Sequence, residues 1–135
     1  MGHPDMAAFA RDVVAARTPE HLQRIVNAAT GATGLLEMAR FDIGAVLGSE
    51  CGERAHKSLR LVFGNPLIMK EMVKRVPDAA SYAPVTVLID ERDGGVCLSY
   101  DLMASFLAPY GNTEALVVAR QLDEQILALL TAAAE

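Results

Sequence analysis

Residues 83–100, APVTVLIDERDGGVCLSY, decide the fold. Apolar and polar residues alternate, so Val85, Val87 and Ile89 share one face of an extended segment. Val96, Leu98 and Tyr100 share one face of the segment that returns. Between them, DERDGG supplies glycines that reach positive φ without steric cost, as a hairpin turn requires. Two antiparallel strands with one apolar face need something to cover that face.

More strands precede the hairpin and helices surround it. SLRLVFGN (58–65) alternates, with Leu59, Leu61 and Phe63 on one side. LLEMARFDI (35–43) reads as a strand with mixed faces, because Leu36, Met38 and Arg40 alternate with Glu37, Ala39 and Phe41. TPEHLQRIVNAATG (18–31) carries helix signals throughout: Thr18 as cap, Pro19 at the first position, and Leu22, Ile25, Val26 and Ala29 on one face. YDLMASFLAPYGN (100–112) reads as a short helix begun by Asp101 and closed before Pro109 and Gly111. From Asn112 to Glu135 a long amphipathic helix carries Leu116, Ala119, Leu122, Ile126, Leu129 and Leu130 on one stripe. Residues 5–17 are ambiguous: DMAAFARDVVAAR suits a helix, with Met6, Phe9, Ala10 and Val13 on a side, but RDVVAAR also suits an edge strand.

The bulk numbers agree with one domain. A chain of 135 residues can bury roughly two-thirds of its unfolded surface. It is 52% apolar and 21% charged, which is globular rather than disordered. A net charge of −5 gives no general attraction to phosphate backbones, so nucleic acid is not an expected partner. No apolar run has the roughly 18 residues that span a bilayer, and Asp5, Arg11 and Asp12 interrupt the region where a signal peptide would be apolar. The expectation is a cytoplasmic protein with no membrane partner. Of the two cysteines, Cys97 lies in a strand and Cys51 sits between Glu50 and Glu53, which oppose thiolate formation; both read as inert. The expected division is one domain over 1–135: an N-terminal arm (1–10), an α+β core (11–111) and the long helix (112–135).

Four stretches in order resemble a known family: GLLEMARFDI (34–43), LRLVFGNP (59–66), YAPVTVLIDERDGGVCLSY (82–100) and NTEALVVARQLDEQILALL (112–130). They are similar to segments of the bacterial and archaeal family known as domain of unknown function 302. The resemblance implies an α+β fold, a curved, TBP-like antiparallel sheet with helices on one face, in the order β-α-β4-α. It also implies a homodimer, and favours the strand reading of RDVVAAR. It brings no activity. Ile43 stands where many members carry His, so any role of that His is absent here.

Candidate sites are few. In FGNP, Gly64 permits a tight exit from the strand, Asn65 can cap the next helix and Pro66 fits its first position; the sharper reading is an anion on that helix N-terminus. Asp42 follows apolar Phe41 at a strand end; if buried, it is a possible acid or base, with Tyr100 orienting a substrate. Ser99, Tyr100 and Asp101 can line a cleft between sheet and helix, and Tyr82 and Tyr110 can join them. Glu53 and His56 form a lone Glu-x-x-His, too little for a di-iron site. No structural metal and no cofactor are expected. The remaining acids read as solvated. LIMKEMVKRV (67–76) carries a small basic face of Lys70, Lys74 and Arg75 that can meet an acidic partner.

The reading that follows is a homodimeric, non-catalytic module binding a small apolar or amphipathic ligand or a protein, through Gly64, Asn65, Tyr82, Ser99 and Tyr100. It expects an apolar cavity between the sheet and the C-terminal helix. The alternatives are an enzyme built on Asp42 and Tyr100, and a purely structural assembly domain.

Overall fold

In the computed structural model, which describes residues 1–51 and 56–135, the sequence's periodicities become one sheet and its cover. The order is α1 (Met6–Ala15), α2 (Pro19–Ala29), β1 (Leu36–Asp42), α3 (Ile43–Cys51), β2 (Ser58–Gly64), α4 (Pro66–Val73), β3 (Val85–Arg92), β4 (Gly95–Tyr100), α5 (Met103–Leu107) and α6 (Thr113–Ala134). Short 3-10 turns at Pro77–Ser81 and Ala108–Tyr110 follow α4 and α5. The four strands form an open antiparallel sheet in the order β1-β2-β3-β4.

The hairpin forms as its alternation requires. Val87 lies opposite Tyr100 and Ile89 opposite Leu98. The strands run further than DERDGG suggested: Arg92 still pairs with Gly95, and the chain reverses at Asp93-Gly94 with Gly94 at φ 97°. Pairing aligns Leu61 and Phe63 with Val87 and Val85 on one face. That face meets Met72 of α4, Met103 and Leu107 of α5, and Ala115, Ala119, Leu122 and Ile126 of α6, all buried. The opposite face, carrying Arg60, Thr86, Leu88 and Ser99, is left open.

The N-terminal segment is a helix, not the edge strand that the resemblance favoured. Asp5 caps it by accepting from the Ala8 N–H at 3.0 Å. Met6, Phe9 and Val13 fall at helical spacing, and only a helix turns them together onto Val26 and Leu36. Strand-like pairing before β1 is reduced to a single parallel bridge from Gly2 to Leu36. The helix runs through residue 10, so the arm and the core proposed from the sequence share one element.

Nothing in the sequence reading anticipated α3. It begins immediately after β1, where Asp42 accepts from the Ala45 N–H at 2.8 Å. Ile43, Val46 and Leu47 supply an i, i+3, i+4 pattern on it. Gly44 lets α3 come close to β2, since a Cβ there would lie 3.0 Å from the Ser58 nitrogen. The Cys51 side chain and Glu53 lie outside the described residues. Of the Glu-x-x-His pair only His56 is placed, with its Nδ1 3.0 Å from the Glu91 carbonyl oxygen.

Candidate functional site

The chain leaves the sheet at Tyr100 and turns at once into α5, and this corner is where polar groups gather. The five-residue α5 has no capping side chain of its own, because Leu102 occupies the cap position. The cap arrives from α6. Asp123 is 5% exposed, and its Oδ1 accepts from the Met103 N–H at 2.8 Å while Oδ2 accepts from the Ala104 N–H at 3.0 Å. The Tyr100 hydroxyl donates to Oδ1 at 2.6 Å. A buried carboxylate is tolerated here because each oxygen meets a donor and the helix N-terminus is positive. Burial and the adjacent Asp123 charge hold the Tyr100 phenol well above its ordinary 10.0.

The latched helix forms one wall of a cleft of about 320 Å³ at the ends of β3 and β4. Phe106 of α5 stacks on Tyr82, with ring centroids 4.9 Å apart and planes 7° from parallel. Tyr82 and Tyr110 share a hydroxyl–hydroxyl hydrogen bond of 3.2 Å, which pushes the Tyr110 phenol up to about 12. Ser81, Thr86, Ser99 and Asp101 supply the polar lining; Val85, Leu88 and Met103 supply the apolar part. Thr86 Oγ1 accepts from Arg60 at 3.4 Å, and the Arg60 guanidinium lies 5.5 Å from the Phe41 ring centre on the open face.

The structure brings together Tyr82, Ser99, Tyr100 and Asp101 of the residues singled out from the sequence, with Tyr110 bonded to Tyr82. Gly64 and Asn65 are elsewhere. They border a void of about 10 Å³ between the sheet and the helices, with Met38, Met69, Met72 and Leu122, so the cavity expected beneath the C-terminal helix is filled. Asn65 Oδ1 accepts from the Leu67 N–H at 2.8 Å, and its amide donates to the Gly34 carbonyl at 2.9 Å. Those two bonds occupy Asn65 with turning and tying the chain.

Asp42 is exposed and spends an oxygen on the α3 cap. It also stands on the opposite outer strand from Tyr100, three strand spacings (about 14 Å) across the sheet and two residues out of register with it. The pair needed for acid–base chemistry with an oriented substrate is not formed. Asp101 lines the cleft and does not start α5. Asp123, read from the sequence as solvated, is the buried acid. Its position between Leu122 and Ile126, four residues after buried Ala119, was the signal that it faces inward. Among the described residues, no three His, Cys, Asp or Glu side chains converge as a metal site would need. No helix there is long and apolar enough to cross a membrane.

The model of the family described as "Domain of unknown function DUF302" matches residues 12–133. The chain belongs to the DUF302 family. A crystal structure of an uncharacterized conserved DUF302 protein from Bacillus stearothermophilus superposes with a TM-score of 0.63 over 94% of this chain and 89% of that one. At 9% identity, the likeness extends to the fold alone. No curated protein matches the chain. Within the DUF302 domain, the cleft at the β4–α5 corner therefore rests on its own geometry.

Proposed function

We propose that the protein is a cytoplasmic, non-catalytic binding module whose ligand is a small amphipathic molecule held in the β4–α5 cleft. The observation that carries this reading is the stacked Tyr82–Phe106 pair lining one cleft with Ser99, Thr86 and Ser81. Aromatic planes supply apolar contact with little entropy to lose, and a few fixed polar groups supply orientation, which is how small-ligand sites are built. Ser99, Ser81 and Asp101 make no side-chain hydrogen bonds among the described residues, so they are available to a ligand. The half-buried free thiol of Cys97 fits a reducing compartment.

The test is a fragment screen by protein-observed NMR with the full chain. Hits are expected to shift the amides of Thr86, Ser99 and Phe106, and Phe106→Ala is expected to erase them. Hits that ignore this corner would overturn the reading.

A second, compatible reading is homodimerisation through α3. Val46 is 68% and Leu47 44% exposed on that helix, beside Ile43, and near its start Leu59, Ile89 and Val96 line a depression of about 340 Å³. An exposed apolar patch of this kind, rimmed by Asp42, Lys57, Asp90 and Glu91, suits a twofold interface. Sedimentation should show a dimer that Val46→Asp converts to a monomer; a wild-type monomer at working concentration rules the interface out.

A further inference from the structure

A second groove, of about 540 Å³, opens where α2, α4 and α6 meet. It shares no lining residue with the β4–α5 cleft. Its apolar floor is Leu67 and Ile68 of α4 with Val118 and Leu122 of α6. Carboxamides stand around that floor: Gln23 from α2, Gln121 and Gln125 from α6. Gln125 is fixed, because its amide donates to the Thr33 carbonyl at 2.6 Å.

The charges in the groove select the ligand. Two lining residues are ionised, Lys70 and Glu71. Glu71 is already neutralised, with Lys74 at 2.7 Å and Arg75 at 3.0 Å, and these cations hold its carboxyl below the usual range. Arg75 is in turn paired with Glu114 at 2.6 Å. Lys70 has no ion pair among the described residues. The only uncommitted charge at the groove among those residues is therefore positive, on a protein whose net charge is −5. A single ammonium without a second cation or a glycine-rich amide nest suits a monoanion better than a phosphate dianion.

We propose that this groove binds a small amphipathic carboxylate, its alkyl body on Leu67, Ile68, Val118 and Leu122 and its head group on Lys70. The glutamine amides at the rim complete the head group's hydrogen bonds. Groove volume falls within the roughly 300–1,000 Å³ typical of small-molecule sites.

The experiment compares octanoate, octanol and octylammonium by calorimetry and by amide shifts of the full chain. Octanoate is expected to bind and to shift the amides of residues 67–71 and 118–125, with octanol weaker and octylammonium silent. Lys70→Glu is expected to weaken octanoate at least about tenfold, the loss of one charge-assisted contact. Gln121→Trp, which fills the groove from an exposed position, is expected to abolish binding. Both replaced side chains are exposed, so unchanged melting temperatures verify folding. Octanol or octylammonium binding as tightly as octanoate overturns the proposal. So does undiminished affinity in Lys70→Glu, or octanoate shifts confined to the β4–α5 corner.

Discussion

At two of the three corners where the sheet hands over to a helix, an aspartate receives the new helix's free N–H groups. At the β1–α3 corner the acid is Asp42, three residues from the N–H it accepts, exposed, and bonded once. At the β4–α5 corner it is Asp123, about twenty residues downstream of its partners, buried, and bonded three times. The first arrangement is a local habit of the chain and brings little else with it. The second ties α5, α6 and the last strand together and leaves an aromatic wall beside a cleft. The same chemical group is thus incidental in one place and organising in the other, and burial makes the difference.

Four substitutions set the corners against each other. Asp123→Ala leaves two amides and a half-buried phenol without their acceptor and is expected to cost about 3 kcal/mol or more in urea unfolding. It should also release Phe106 from the cleft. A loss below about 1 kcal/mol would mean that the two corners are energetically alike.

Tyr100→Phe removes one of the three bonds and is expected to cost about 1–2 kcal/mol at neutral pH. Its sharper signature is alkaline. The folded state raises the Tyr100 pKa above 10.0, so the unfolded chain loses that proton first. The associated stability is complete below pH 10 and drains away as pH rises beyond it. Wild type should therefore weaken above pH 10 more steeply than Tyr100→Phe; parallel curves would remove Tyr100 from the account.

The smallest effect belongs to Asp42→Ala, about 1 kcal/mol for an exposed cap, and Asp42→Asn should be nearly silent because Asn caps as well. A cost matching that of Asp123→Ala would erase the contrast.

The same contrast explains what was legible beforehand. The hairpin, β2, α2 and α6 announced themselves because their apolar residues repeat at one period over enough positions. Thr18 and Asn65 were readable as caps because each acts within three residues. At the N-terminus, two periods competed over RDVVAAR, and packing of Phe9 against Val26 and Leu36 decided for the helix. α3 passed unnoticed because Gly44 and Gly48 dilute its helix propensity, although Asp42 followed by Ile43, Val46 and Leu47 held the pattern. In the cleft, Ser99 and Tyr100 were visible as strand-end residues, and Tyr82 as a nearby aromatic. Phe106 and Thr86 join them through tertiary placement alone. Asp123 is the extreme case, since nothing within several residues of it indicates what it holds.

One outcome of that remote cap concerns the order of events when the polypeptide is made. A five-residue helix cannot persist alone in water, so α5 must wait for α6 to dock. Until residue 123 has emerged from the ribosome and folded back, the nascent chain can assemble its strands yet has no finished β4–α5 cleft. Completion of the cleft therefore requires that synthesis has passed the first half of α6.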